Sequence, residues 1–342
     1  VRVGSGGWLL GLVAFYVFCF CRPGVGPNFA PHPAPASSRG AQPPAGGERV
    51  VPTATTTGTS SDNSTAGEGD VKSCTRSAIT DVTAELTDYN VNQNAWISSM
   101  LLYKLGLFGV RWDLTPFFDN KASFQRGVHQ AVRRTAIELV DRLGRIRGSS
   151  QIDPNLQDAR GSLQFDESTW YIGFNPPGPK TPTPSFYRSA IADLNIYNEK
   201  LAACNATFDA RADNLVQFLD RIASDIGSTS DILRERSESH NGGWFDMRAD
   251  DRFWFSYGQL YGYYGIIVAT RADFHDVITS RGLVPLWDRL ESQFRSALAV
   301  QPFIISNGRE DGWVMPTHLA TMGFYVLRIR TNMVEIRSVL DR

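Results

Sequence analysis

Along most of the chain, apolar residues recur every three or four positions. Phe208, Ala212, Leu215, Leu219, Ile222, Ile226, Thr229 and Leu233 alternate these two steps and so share one stripe of a long helix over 208–233. The C-terminal segment repeats the pattern with Leu319, Met322, Val326, Ile329, Met333, Ile336 and Leu340. Both seams suit packing against other helices at shallow angles. The same reading predicts helices over Ser77–Tyr89, Asn120–Arg147, Ser185–Ala203, Asp250–Ser280 and Pro285–Ala299. In the second of these, Phe124, Val128, Val132, Leu139, Leu143 and Ile146 face inward, and Asp119 or Asn120 caps the first turn. Strand-like character is confined to the patch Trp170-Tyr171-Ile172. Pro176, Pro177, Pro179, Pro182 and Pro184 predict a rigid extended loop over Asn175–Pro184, and Asn307-Gly308 with Gly312 marks a turn before the last helix. The expected fold is all-α: an elongated helical bundle.

The front of the chain is of another kind. Val3 to Cys21 carries no formal charge and contains Trp8, Leu9, Leu10, Leu12, Val13, Phe15, Val17, Phe18 and Phe20, enough to span a bilayer as one helix. A cleaved signal peptide is the rival reading. The run ends Phe18-Cys19-Phe20-Cys21-Arg22, without the small residues of a cleavage site, so an uncleaved anchor is expected. Arg2 lies on one side of it and Arg22 and Arg39 on the other, which leaves orientation open, and the chain opens on Val1, which leaves open whether its N-terminus is complete. From Arg22 to about residue 70 the chain is rich in Pro, Gly, Ser and Thr with almost nothing large to bury, as a solvated leash would be. The expected organisation is a transmembrane anchor over 1–21, a flexible linker over 22–72 and a helical body over 73–342.

A formal net charge of -1 disfavours nucleic-acid binding by the chain as a whole. Cys19 and Cys21 sit in the apolar run, which leaves Cys74 and Cys204 in the body, either as one disulfide of an exported protein or as two unrelated buried thiols. His32, His129, His240, His275 and His318 show no i, i+4 pair and no Cys or Glu at metal-ligand spacing, so no metal site is expected. There is no phosphate-binding loop, no Gly-x-Ser-x-Gly elbow and no Cys/His pairing, and no cofactor is expected.

A few polar groups still stand out as candidate ligand-binding residues. Arg211, Asp213 and Asn214 form a cluster within the 208–233 helix, where a buried Arg-Asp pair would either meet a ligand or fix helix register. His318, in the first turn of the last helix, and Asn307 before it could line a cleft. Phe253 to Thr270 is again free of formal charge, but its Tyr257, Tyr261, Tyr263 and Tyr264 interleave with Gly258, Gly262 and Gly265. This reads as the central helix of the bundle, with glycines allowing close helix approach, and Tyr257 and Tyr261 could line a groove for a glycan or lipid chain. Lys121, Arg126, Arg133, Arg134, Arg142, Arg145 and Arg147 outnumber Glu138 and Asp141 on the 120–147 helix, as a solvated face or a surface for anionic lipid or wall polymer would require.

Phe118-Asp119-Asn120, Ser123, Gly127-Val128, Val132-Arg133, Ala210-Arg211-Ala212-Asp213-Asn214-Leu215, Gly258-Gln259, Asn307-Gly308, Gly312 and His318 together resemble the bacterial membrane-anchored proteins grouped as domain-of-unknown-function family 2333. The likeness runs roughly from Ser77 to Arg342, and Ala210 to Leu215 is its most specific piece. It implies a single-pass inner-membrane protein with a short cytoplasmic N-terminus and a large helical periplasmic body, and it implies no biochemical activity. The chain departs from that pattern in its long leash and in Phe253 to Tyr264, where aromatics replace charged residues.

The function expected is therefore that of a non-enzymatic structural or protein-interaction module of the bacterial envelope, contacting another envelope protein or itself. The alternatives are a periplasmic module that binds a lipid or cell-wall fragment, and a hydrolase whose site carries no recognised motif.

Overall fold

The computed structural model describes residues 74–99, 119–145, 151–174, 177–239, 248–302, 305–308 and 317–342. The expected anchor, the whole of the expected linker, Ile146, Arg147 and Gly312 lie outside them. Among the described residues, no helix is long and apolar enough to cross a membrane, so the second apolar stretch, Phe253 to Thr270, is a helix of the body.

The described part is mostly helical, as expected. Helix α1 (Ala78–Asp88) runs on through a wider π turn, Tyr89–Gln93, and α2 (Asp119–Glu138) through another, Leu139–Leu143. Then follow α3 (Pro154–Leu163), α4 (Thr183–Ala202), α5 (Ala212–Ser239), α6 (Ala249–Asp273), α7 (His275–Ser280), α8 (Val284–Leu298) and α9 (His318–Leu340). One antiparallel hairpin, β1 (Ile172–Phe174) with β2 (Pro177–Pro179), pairs Ile172 with Pro179 and Gly173 with Gly178.

Several boundaries depart from the sequence reading. Helix α3 was not foreseen; Asp153 caps it through bonds from the amides of Asn155 and Leu156, and Pro154 occupies its first turn, where a missing N–H costs nothing. The Asn175–Pro184 stretch is not one extended loop. Pro177–Pro179 is a strand, and Pro184 lies in the first turn of α4. The expected helix over Asp250–Ser280 is broken at Phe274 into α6 and α7. Helix α5 begins at Ala212, so Phe208 and Arg211 precede it.

Two long pairings organise the core: α2 lies along α6, and α5 along α9. Glycine makes the first contact intimate. A Cβ on Gly127 would strike the Phe255 carbonyl and lie 2.7 Å from the Gln259 amide, and one on Gly258 would strike the Phe124 carbonyl. Gly262 faces the Ala131 Cβ and Gly265 faces Val82, so the close approach expected of these glycines is present. Along α5–α9 the two predicted stripes meet: Leu215, Leu219, Ile226 and Leu233 on one side, Leu319, Met322, Val326, Ile329 and Ile336 on the other, all buried.

Remote side chains fasten the start of α1. Asp273, at the end of α6, accepts from the Ser77 hydroxyl at 2.8 Å and from the amides of Ala78 and Ile79, both at 2.9 Å. Asn198 on α4 accepts from the Ser77 amide and donates to its carbonyl. A disulfide joins Cys74 to Cys204, with Cα atoms 5.4 Å apart, and resolves the choice the sequence left open. Cys204 follows α4 in a left-handed conformation (φ 60°), a position where glycine is usual.

Candidate functional site

The residues singled out in the sequence do not meet at one place. Arg211 pairs with Asp209 at 2.9 Å and Asp213 at 3.3 Å, and Asn214 donates to the Asp209 carbonyl. The buried member of this group is Asp209, 1% exposed; Arg211 is partly open and Asp213 lies in solvent, so the expected buried Arg-Asp pair is instead a half-open knot around the start of α5. Asn307 and His318 lie at the other end of that helix, where Asn307 donates to the Arg236 carbonyl. The 28 residues of α5 separate the two groups by roughly 40 Å at the helical rise. His318 Nδ1 accepts from the Ser306 amide at 3.0 Å, and burial holds its pKa below the usual value, so the ring is a neutral loop clasp.

Tyr257 and Tyr261 sit midway along the bundle. Tyr257 is fully buried, donates to the Leu298 carbonyl at 3.0 Å and accepts from Gln301; burial raises its pKa to about 12. Tyr261 packs its half-buried ring against Tyr89 and Phe124. Both rings thus fill helix contacts. Much of the basic face of α2 is engaged as well: Arg126 and Arg133 approach Glu167, Arg134 pairs with Asp225, and Arg142 pairs with Glu138, which also takes Arg221 from α5.

Two polar groups that sequence reading missed are more closely built. The first centres on Asp225, inside α5 and 7% exposed. One oxygen accepts from Gln130 at 2.8 Å and Arg134 at 3.3 Å; the other accepts from Gln259 at 2.8 Å and the Tyr263 hydroxyl at 2.7 Å, while Thr229 donates to Gln259. Burial first, and then the neighbouring Asp225 charge, push the Tyr263 phenol well above its usual range, so it stays protonated and keeps donating. This ties α2, α5 and α6 together with a fully engaged carboxylate.

The second is Asp119, Asp250 and Asp251, at the starts of α2 and α6, with one oxygen of each within 4.8 Å of the others. Asp119 accepts from the Asn120 amide, Asp250 from the Asp251 amide, and Asp251 from the Ser123 hydroxyl. Burial, then repulsion from Asp250 and Asp251, raises the Asp119 carboxyl to about 7. Among the described residues these are the oxygens best placed to take a hard cation. Residue spacing gave no hint of them, because Asp119 comes from another helix.

Two features of the surface stand apart from these networks. An open groove of about 740 Å³ between α2, α3 and α4 is lined by Gln157, Asp158, Arg160, Ser162 and the stacked rings of Phe165 and Phe186. On α9, Phe324, Leu327 and Val334 are 57%, 46% and 47% exposed, on the side opposite the buried stripe.

Compared with known families, residues 63–242 match the family described as "Uncharacterized protein conserved in bacteria (DUF2333)". The chain belongs to this family. The match takes in α1 to α5 and the Ala210–Leu215 string, whereas the Gly258-Gln259, Asn307-Gly308 and His318 elements of the resemblance lie beyond it. Helix α9 and its exposed row are thus features of this DUF2333 chain outside the matched region. No curated protein and no solved structure matches the chain.

Proposed function

We propose that this DUF2333 protein is an envelope module, held to the inner membrane by its first segment, whose helical body works by docking onto protein rather than by turning over a substrate. The exposed apolar row on α9 carries this reading. Single exposed apolar residues are common, but three on one face of one helix form a patch of the kind that marks contact surfaces. Asp225, Tyr263, Tyr257 and Asp273 are buried and bonded between helices, and the buried Asp209 is paired with Arg211 beside it. A body on the periplasmic side accords with the Cys74–Cys204 disulfide, a bond at home in oxidising compartments.

Two experiments test this. Alkaline phosphatase fused after Arg342 should be active; activity from a cytoplasmic reporter alone would reverse the orientation. Crosslinking in native membranes through a photoreactive group at Leu327 should give a defined protein adduct, and the same group at Ser189, exposed on α4, should not. An adduct consisting of lipid alone would instead favour the lipid-binding reading.

The groove beside Phe165 and Phe186 supports a second reading, a wall-fragment binder, because apolar ring faces beside amide, carboxylate and guanidinium groups suit a glycan. Chemical-shift changes confined to α3 and Phe186 on adding a soluble muropeptide would favour it.

A further inference from the structure

We infer that the α9 face is a self-association surface, and that two copies of this chain pair there with their α9 helices parallel. This names the partner of the docking surface and so rests on the reading just given. Ala320, Phe324, Leu327, Thr331, Val334 and Ser338 recur at alternating steps of four and three, a second heptad seam on a helix whose first seam is already buried. In heptad terms Phe324 and Thr331 are a positions, and Leu327 and Val334 are d positions. The flanks are then Gly323, Arg330 and Arg337 at g, and Thr321, Arg328 and Glu335 at e.

The charges choose the partner and its direction. Parallel pairing sets each g residue beside the e residue five positions on in the other helix. That places Arg330 of one copy beside Glu335 of the other, twice by symmetry, and Arg328 beside Gly323, which offers neither bulk nor charge; Arg337 falls beside Arg342, but Arg342 lies past the end of the helix and Arg337 is already paired with Asp220 and Asp341. Antiparallel pairing would set Arg328 against Arg328 and Arg330 against Arg330. Among the described residues Arg330, which lies over Gly227, has no acidic partner, and Glu335 meets only Arg289, loosely at 3.6 Å, with both side chains about half exposed. Exposed pairs of that kind contribute little and exchange readily. A two-fold axis along α9 also keeps both chains' Cys74 residues at the same height, so that two linkers can run to one membrane.

Three apolar side chains per copy fall short of the roughly 800 Å² per partner of a stable interface. The pairing is therefore weak in free solution and gains from the high local concentration of tethered copies.

Oxidative crosslinking of the full chain tests this. Leu327→Cys and Val334→Cys, each placed in a chain with Cys19→Ser and Cys21→Ser, should give disulfide dimers in membranes at several times the yield of Ser189→Cys. Arg330→Glu or Glu335→Arg added to Leu327→Cys should cut the yield several-fold, and the two together should restore it, which a generic apolar contact would not do. Equal yields from Leu327→Cys and Ser189→Cys would overturn the inference. So would a Phe324→Cys to Val334→Cys mixed dimer exceeding the Leu327 one, because that is the antiparallel arrangement. A chain that pellets with membranes yet gives no Leu327 dimer sinks the pairing and leaves the tether; a dimer from a chain that does not pellet with membranes sinks the tether and leaves the pairing.

Discussion

Gly127 and Gly258 face each other where α2 crosses α6, so close that a methyl group on either would run into the other helix's main chain. The crossing admits hydrogen atoms and nothing larger, because the obstacles are backbone carbonyls that no rotamer change can move aside. Gly161, in the last turn of α3, is the opposite case: a methyl group there would have nothing within 4 Å of it.

Gly127→Ala or Gly258→Ala should therefore destabilise the body by about 1–3 kcal/mol or more, the usual range for overpacking. Gly161→Ala should stabilise it, by up to about 0.5 kcal/mol in this last turn, by reducing the conformational freedom that the unfolded chain loses. Urea denaturation followed by circular dichroism measures both, and shifts of the same sign and size at Gly161 and at the crossing would contradict this geometry.

Asp225→Ala would leave the Tyr263 hydroxyl and the Gln259 amide buried without their acceptor, at roughly 1–3 kcal/mol for each orphaned group. A total loss of about 3 kcal/mol is expected. Tyr263→Phe removes one donor of several and should cost only about 1 kcal/mol. If Tyr263→Phe proved the more damaging of the two, the centre of the network would lie elsewhere.

Asp119 makes stability depend on pH. Its folded pKa, about 7, lies above the unfolded value near 3.8, so between those limits the folded state binds more protons than the unfolded state. The contribution of this group to stability is therefore highest below about pH 4 and falls as pH rises toward and past 7. Asp119→Asn keeps a side-chain acceptor for the Asn120 amide and removes the titration. The melting temperature of the wild-type chain minus that of the variant should become more negative from about pH 4 to about pH 8; a flat difference would show that the carboxyl is not perturbed.

Ile329 and Leu327 stand on opposite sides of α9, one fully buried and the other 46% exposed. Ile329→Asp puts a charge among aliphatics, which typically costs several kcal/mol, and should unfold or aggregate the body. Leu327→Asp should leave the stability of the isolated chain within about 0.5 kcal/mol of the parent. Reversal of that order would move the buried face of the last helix.

Removing the Cys74–Cys204 bond by Cys204→Ser should lower stability by about 2–5 kcal/mol, since it releases a long loop in the unfolded chain. Denaturation with and without dithiothreitol gives the comparison, and the reductant should have no effect on the variant.

What the sequence carried well was periodic. The stripes Leu215–Leu233 and Leu319–Leu340 lie where three-four spacing put them, because a helix face is defined within a few turns of its own sequence. The break at Phe274 was not legible, since no glycine or proline marks it and the Asp273 carboxylate beside it serves the distant start of α1. The Asp225 and Asp119 groups were hidden for the same reason: their partners come from other helices, and no local spacing records them. Helix α3 did leave a signal, the Asp153-Pro154 start, which cap rules would have found.

The position of the disulfide also decides how the body bears load. Any tension reaching Cys74 from its N-terminal side crosses the sulfur–sulfur bond to Cys204 and passes into the end of α4, a 20-residue helix, before it can act on α1. Helix α1 is held by packing and by the Asp273 and Asn198 bonds, contacts that break in succession when a helix is peeled from its end. With the covalent bond ahead of them, peeling has no free end from which to begin. The joint acts as a strain relief, and a pull on the chain moves the body as one piece.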